Sequence, residues 1–327
     1  MTTRRAALGA MAAASLFAPR LGQAQSPAAA WPEQPVRYIV PFTPAGLTDI
    51  MARLMAQKLS EGWGRSVVVE NRAGGNGMIG ADAAAKAPAD GHTLLAITLT
   101  HAVNVGLFPQ APYHLLRDFR PVSVLGSLPL VVVVNPASPA QTLTELLALA
   151  RTAPLNGGSS GNGSPPHLAL ELLRRVAGAG ANLVHVPYRG GAPGVTDLVA
   201  GNLQFMLSNL PECIGQIKGG RLRALAVTGA ERSPQLPEVP TVRELGVPGL
   251  EMTNWTAMMT NAAVPDAVFQ QLERDSLRAI NDPVVKRRAV EGGFDVLGWN
   301  AERSRTFIEA EVARWSRLVQ EAGIRAD

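Results

Sequence analysis

Short apolar runs alternate with segments of helical periodicity along this chain, and that alternation constrains its fold more than any other feature. Val36–Val40 reads as a strand. Ile50 to Leu59 follows with apolar residues at 50, 51, 54, 55 and 59, the spacing of one helix face. Val67–Val69 reads as a buried strand, Ile79 to Ala87 as an Ala-rich helix and Leu94–Ile97 as another strand. Parallel strands need a crossover between them, usually a helix, so this order predicts parallel βαβ units. Pro121–Leu125 and Leu130–Val134 then read as two closely spaced strands, Thr142 to Arg151 as a helix with Thr142 or Thr144 as its cap, and Leu168 to Val176 as an amphipathic helix stopped by Gly178. Leu183–Val186, Leu203–Leu207 and Leu222–Val227 are further strands, and Met252 to Asn261 is an apolar stretch. Two helices close the chain, Pro265–Asn281 and Ala301–Ala322. In the last, Phe307, Ile308, Val312, Trp315 and Val319 form one apolar stripe.

At roughly 100–200 residues per domain, 327 residues suffice for two α/β lobes. The expected division is residues 25–128 for the first lobe, 129–250 for the second, and 251–327 returning to the first. The chain would cross between lobes near Ser127–Leu130 and near Gly249–Thr253. Two crossings make a hinge, and clefts between α/β domains are common ligand sites.

The longest apolar stretch, Ala6 to Ala18, is interrupted by Gly9 and Ser15 and falls short of the ~18 residues that cross a membrane. With Arg4-Arg5 before it and Gly22-Gln23-Ala24 after it, it reads as an export signal over residues 1–24, cleaved near Ala24. The paired arginines resemble a twin-arginine signal, and a general secretory signal fits nearly as well. The expected location is therefore the periplasm. Cleavage removes Arg4, Arg5 and Arg20 and no acid, so the basic count falls from 30 to 27 against 26 acids. No dense Lys/Arg run remains, which argues against a nucleic-acid partner. Cys213 is the only cysteine, so no intramolecular disulfide can form, and it reads as a small packed hydrophobe.

Two strand-to-helix loops stand out. Pro41, Phe42, Thr43, Pro44, Ala45, Gly46, Leu47, Thr48 and Asp49 lead from a strand into a helix that Thr48 or Asp49 would cap. The first N–H groups of a helix lack internal acceptors and sit at its positive end, a ready anion site. Asn156 to His167 repeats the arrangement, with Ser164 as N-cap and Pro165 at the first helical position. Gly75 to Gly80 matches G-x-G-x-x-G. However, the next strand, Leu94–Ile97, runs into Thr98-Leu99 with no acid for a ribose, so its glycines read as serving a tight connection. No nucleophile elbow, metal-spaced His/Cys cluster or marked acid pair is present. The chain is therefore not expected to be an enzyme, nor to need a metal or organic cofactor.

The ordered run of motifs resembles a known family. PFTPAGLTD (41–49), VVVENRAGGNGMIGADAAAKAPADGHTLL (67–95), THAVN (100–104), SSGNGSPPHLALELL (159–173), VHVPYRGGAPGVTDLVAG (184–201) and LRALAVTGAERSPQLPEVPTVRELGVPG (222–249) are similar to the extracytoplasmic substrate-binding proteins of tripartite tricarboxylate transporters, called the Bug family. The likeness spans residues 31–324. It implies a periplasmic-binding-protein-like α/β fold (type II), with two lobes joined by hinge strands around a ligand cleft. It also implies a monomer that closes on a small carboxylate: an organic acid, an acidic amino acid or an aromatic acid. Thr43 to Asp49 would be one gripping loop, with Phe42 a further contact before it. The other would be Ser159, Ser160, Gly161, Asn162, Gly163 and Ser164, with His167 behind it. Thr98, Thr100 and His101 occupy the THAxN region, Tyr188-Arg189 the Y-[KR]-G motif, and Asn209 the D-N segment, where Ser208 replaces the common Asp.

Ala45 stands where a glycine is usual and cannot take a positive φ cheaply. With Leu47 it adds apolar bulk, so the expected ligand has an apolar or aromatic body rather than a compact citrate-like one. Asp49 is a charge opposed to a carboxylate, and either caps its helix or faces a ligand ammonium. The expected partners are the large and small permease subunits; the alternative is a two-component sensor kinase.

Overall fold

The computed structural model describes residues 31–324; the export signal expected over 1–24 lies outside them. The chain runs through β1 (Val36–Val40), α1 (Leu47–Trp63), β2 (Val67–Asn71), α2 (Met78–Ala85), β3 (Thr93–Thr98), α3 (Leu99–Leu107) and the single turn α4 (Leu115–Asp118) into β4 (Phe119–Val134). The second lobe holds α5 (Leu143–Leu149), β5 (Leu155–Ser159), α6 (Pro165–Ala177), β6 (Leu183–Pro187), α7 (Gly191–Ala200), β7 (Phe205–Asn209), α8 (Leu210–Lys218) and β8 (Arg223–Val227). The chain returns through β9 (Thr253–Asn261), α9 (Asp266–Ile280), α10 (Pro283–Glu291), β10 (Asp295–Val296) and α11 (Ala301–Ala322).

The strands follow one path, β2-β1-β3-β9-β4-β7-β5-β6, with β8 and β10 also pairing β4. β1 lies parallel to β2 and β3, and β5 parallel to β6 and β7, as the βαβ reading requires. β4 and β9 pair antiparallel and join the two halves. Phe119 to Pro129 of β4 pair β9 in the first lobe, while Leu130 to Val134 pair β7 and β8 in the second. The two strands read over 121–134 are thus one strand. Pro121 and Gly126, which look like breaks, are accommodated at register shifts in the pairing with β9.

One side chain ties the two connections between lobes together. The backbone of buried Thr228 pairs with Leu130 and Met252, its N–H donating to Leu130 O and its carbonyl accepting from Met252 N–H (both 2.9 Å). Its Oγ1 accepts from Leu130 N–H (2.9 Å) and donates to Met252 O (2.6 Å). The crossings therefore lie side by side.

Val131 to Val134 are wholly buried, as a continuous apolar run covered on both faces should be. The stripe read on the last helix faces inward: Ile308, Val312, Trp315 and Val319 are buried, and Phe307 packs edge-on against Trp255 and Trp299. Trp255 and Trp315 both donate their indole N–H to Glu311 Oε2 (2.9 Å each). Three helices close the chain instead of two. α10 is mostly exposed, with Val285 and Ala289 buried, and its start is set by Asp282, whose side chain accepts from Val284 and Val285 N–H. The THAVN segment is likewise helical, within α3.

Candidate ligand-binding cleft

In open α/β sheets, ligands sit in the crevice beyond the carboxyl ends of the strands. Here the junctions after β1, β2, β3, β5, β6 and β7 all open on one cleft of about 680 Å³ between the lobes. Phe42, Thr43, Pro44, Ala45, Gly46, Leu47 and Thr48 line it from the first lobe, with Thr98 and Thr100. Ser160, Gly161, Asn162, Ser164, Arg189 and Asn209 line it from the second. The other six expected contacts, Asp49, His101, Ser159, Gly163, His167 and Tyr188, do not line the cleft.

Asp49 shapes the first loop from within. The cap of α1 is Gly46, with no side-chain bond, so neither Thr48 nor Asp49 caps the helix. The Asp49 side chain is 3% exposed. Its Oδ2 accepts from Ala45 N–H (2.9 Å) and Arg53 Nε (2.8 Å), and its Oδ1 from Asn71 Nδ2 (2.9 Å). Burial alone would raise its pKa. The bonds from Arg53, Ala45 and Asn71 outweigh burial and hold the carboxyl below its usual value. Ala45 adopts φ 64°, the left-handed conformation that L-residues avoid, and its N–H is one of those held by Asp49. The carboxylate therefore pins a strained turn, and its charge is compensated by Arg53.

The second loop is built differently from expectation. Ser164 does cap α6, its side chain accepting from His167 N–H. However, Pro165 and Pro166 occupy the next two positions and carry no N–H, so the first turn of α6 offers the cleft no free amide. The loop is braced from behind: Gly163 N–H donates to His167 Nδ1 (3.0 Å), and the His167 and His185 rings stack at 3.9 Å. His185 Nε2 meets buried Ser159 Oγ at 2.6 Å. Burial, then the charges of His167 and Arg174, lower His185 to about 4, so it is neutral near pH 7. A Cβ on Gly163 would lie 2.6 Å from Leu107 of the opposite lobe, so the lobes touch here.

Behind the first-lobe wall, Thr98 caps α3 by accepting from Thr100 N–H (3.2 Å), while His101 Nδ1 accepts from Thr98 N–H (3.2 Å). His101 is fully buried, is lowered to about 4 by burial, and meets Phe42 edge-on. Asn76, from the glycine-rich segment read as a packing turn, lines the cleft and exchanges two hydrogen bonds with Asn104 (2.8 and 2.9 Å).

The helix end that faces α1 across the cleft belongs to α7. Gly190, Gly191 and Ala192 line the cleft, and a Cβ on Gly190 would lie 4.0 Å from Thr43 Oγ1 of the other lobe. Sequence reading reached Tyr188, Arg189 and, within the Y-[KR]-G motif, Gly190, and missed Gly191 and Ala192. Tyr188 is turned away, its hydroxyl donating to Asp197 Oδ2 (2.7 Å), and burial and Asp197 raise it to about 12. Arg189 is the one Lys or Arg lining the cleft, and among the described residues it makes no ion pair. Glu212 and Asn254, also missed, complete this wall. Cys213 is buried and unpaired, and burial raises its thiol to about 12.

Residues 51–324 match the family model described as the tripartite tricarboxylate transporter family receptor. The protein BugT of Bordetella pertussis is 38% identical over 300 residues, covering 90% of this chain and 91% of that protein. A solved structure titled R. palustris Rpa4515 with adipate superposes with TM-score 0.85 at 35% identity, covering 90% of this chain and 99% of that one. MatC from Rhodopseudomonas palustris with bound malate superposes with TM-score 0.81 at 28% identity, covering 88% and 100%.

Proposed function

The chain belongs to the tripartite tricarboxylate transporter receptor family, a family of periplasmic solute-binding proteins, and we propose that its cleft captures a small carboxylate by closure of the two lobes. The observation that carries this is the opposition of two helix N-termini, α1 and α7, across one cleft in which, among the described residues, Arg189 is the one lining Lys or Arg and makes no ion pair. Amide donors and a guanidinium that makes no ion pair among the described residues are groups that bind a carboxylate. Adipate and malate, bound by two relatives, are both dicarboxylates.

Phe42, Pro44, Ala45 and Leu47 make one wall apolar, which favours a ligand with an apolar or aromatic body. The ligand's contacts to both lobes select the closed arrangement, and the paired crossings at Leu130 and Met252 are where the chain bends. The loaded protein then delivers its ligand to a membrane permease, after export directed by residues 1–24.

A thermal-shift screen of organic acids tests this reading. An acid at 100 times its Kd stabilises by about 2.7 kcal/mol, which a melting curve resolves. Aliphatic and aromatic carboxylates are expected to stabilise and neutral sugars are not. Stabilisation by sugars and none by acids would overturn carboxylate capture. Tighter binding of citrate than of aromatic acids would overturn the apolar-body reading alone.

A further inference from the structure

Carboxylate capture leaves one group in the cleft unused. Glu212, in the first turn of α8, is the only Asp or Glu that lines it among the described residues. A carboxylate there repels a ligand anion unless it serves some other part of the ligand.

The surrounding hydrogen bonds fix its role as an acceptor. Trp255 N–H donates to Asn254 Oδ1 (2.9 Å), so the Asn254 amide must turn its NH2 toward Asn209 Oδ1 (3.0 Å). Asn209 is thereby oriented too, and its Nδ2 donates to Glu212 Oε1 (3.0 Å). The Ser208 hydroxyl approaches Oε2 at 3.4 Å. Both oxygens are addressed by donors, an arrangement that favours the ionised carboxylate. No Lys, Arg or His pairs with Glu212 among the described residues, and burial pushes its pKa up. The carboxyl is thus held by one amide and one hydroxyl, both neutral, and lacks a counter-charge among the described residues.

Its position says what would supply one. A Cβ on Gly191 would stand 1.9 Å from Oε2, so the carboxylate lies directly on the first residue of α7. The amide end that receives a ligand carboxylate and the Glu212 carboxylate are therefore neighbours. A ligand spanning both carries a cationic donor close to its acid group, as an amino acid does.

We infer that Glu212 seats a ligand ammonium beside the α7 amides, so that the cleft selects amino-bearing carboxylic acids over the same acids without the amine. This rests on the carboxylate reading and narrows it. It makes Glu212, held in place by Asn209 and Asn254, a specificity-determining residue.

Titration calorimetry on the exported form of the chain tests it with matched pairs: 2-aminoadipate and adipate, glutamate and glutarate, phenylalanine and 3-phenylpropionate. In at least one pair the amino member is expected to bind tenfold or more tighter. Glu212→Gln, which keeps volume and an acceptor for Asn209, is expected to weaken that amino member at least tenfold and to leave its partner unchanged or tighter. Binding of the amine-free acids as tightly as their amino partners in the wild type overturns the inference while leaving carboxylate capture standing. So does a Glu212→Gln variant that weakens both members equally. Failure of every acid in both series overturns both readings. The wild-type comparison decides the matter even if the variant does not fold.

Discussion

Asp49→Asn separates a structural from a ligand-binding role for the acid in the first loop. The carboxylate uses both oxygens, Oδ2 for Ala45 N–H and Arg53 Nε and Oδ1 for Asn71 Nδ2. An asparagine amide has one oxygen. If it faces Ala45 and Arg53, its NH2 meets the Asn71 donor; if it is flipped, it meets the other two. In the better orientation the Arg53 bond loses its charge assistance, about 1 kcal/mol, and a donor is left facing a donor at a 3% exposed site, a further 1–2 kcal/mol or so. Asn71 keeps its bond to Phe42 O (3.0 Å), which limits the loss. The expected destabilisation is about 2–3 kcal/mol, or roughly 3–5 °C in Tm for a chain of this size. Ala45, freed at φ 64°, relaxes toward commoner conformations, so carboxylate affinity falls as well. Differential scanning calorimetry and titration calorimetry on the same variant read the two effects. An unchanged Tm with lost affinity for amino-bearing ligands would show instead that Asp49 touches the ligand, and the argument from its three partners would fail.

Two further outcomes follow from the same geometry. His101 and His185 are both held near 4 by burial, against the usual 6.5. Each therefore takes up a proton more readily in the unfolded chain, so the stability this confers is complete above pH 6.5 and is lost as pH falls toward 4. The loss is up to about 3 kcal/mol for His101 at ~1.4 kcal/mol per pKa unit, and urea unfolding at pH 7 and pH 4.5 that gave equal stabilities would refute it. Arg189→Gln should weaken binding of any carboxylate by about tenfold, the low end for a charge-assisted bond from an exposed side chain, without moving Tm by more than about a degree. Unchanged affinity in titration calorimetry would remove Arg189 from the site.

Local chemistry was legible wherever the signal lay within a few residues. Ser164 followed by Pro165 marked the start of α6, and strand–helix alternation marked the parallel units. Reading failed where a distant partner decided the outcome. Gly126 and Pro129 interrupt the pattern of β4, but pairing with β9 runs through both and pairing with β7 and β8 takes over from Leu130, so the strand continues. Asp49 looked like a cap or a ligand group because Asn71, its partner from β2, lies 22 positions along the chain.

The same division explains why the two cleft-lining loops were legible and the polar end of the cleft was not. Pro165-Pro166 was read as a helix start, which it is. That the same two residues remove the amides a bound anion would want was also visible in the sequence, and it is why the proposed second anion seat lies at α7 and not at α6. The Gly190–Pro193 turn carries the glycine-rich strand-to-helix signature that singled out the other two loops, and could have been found by that rule. Glu212 could not. Nothing distinguishes an acid in the first turn of a helix from the helix-favoured acids found there in any protein. Its meaning comes from Asn209 on β7 and Asn254 on β9, two strands that never pair directly and meet only because β4 lies between them. A cleft made where two lobes share one strand takes its loops from local sequence and its charge arrangement from the crossing, and only folding brings the second together.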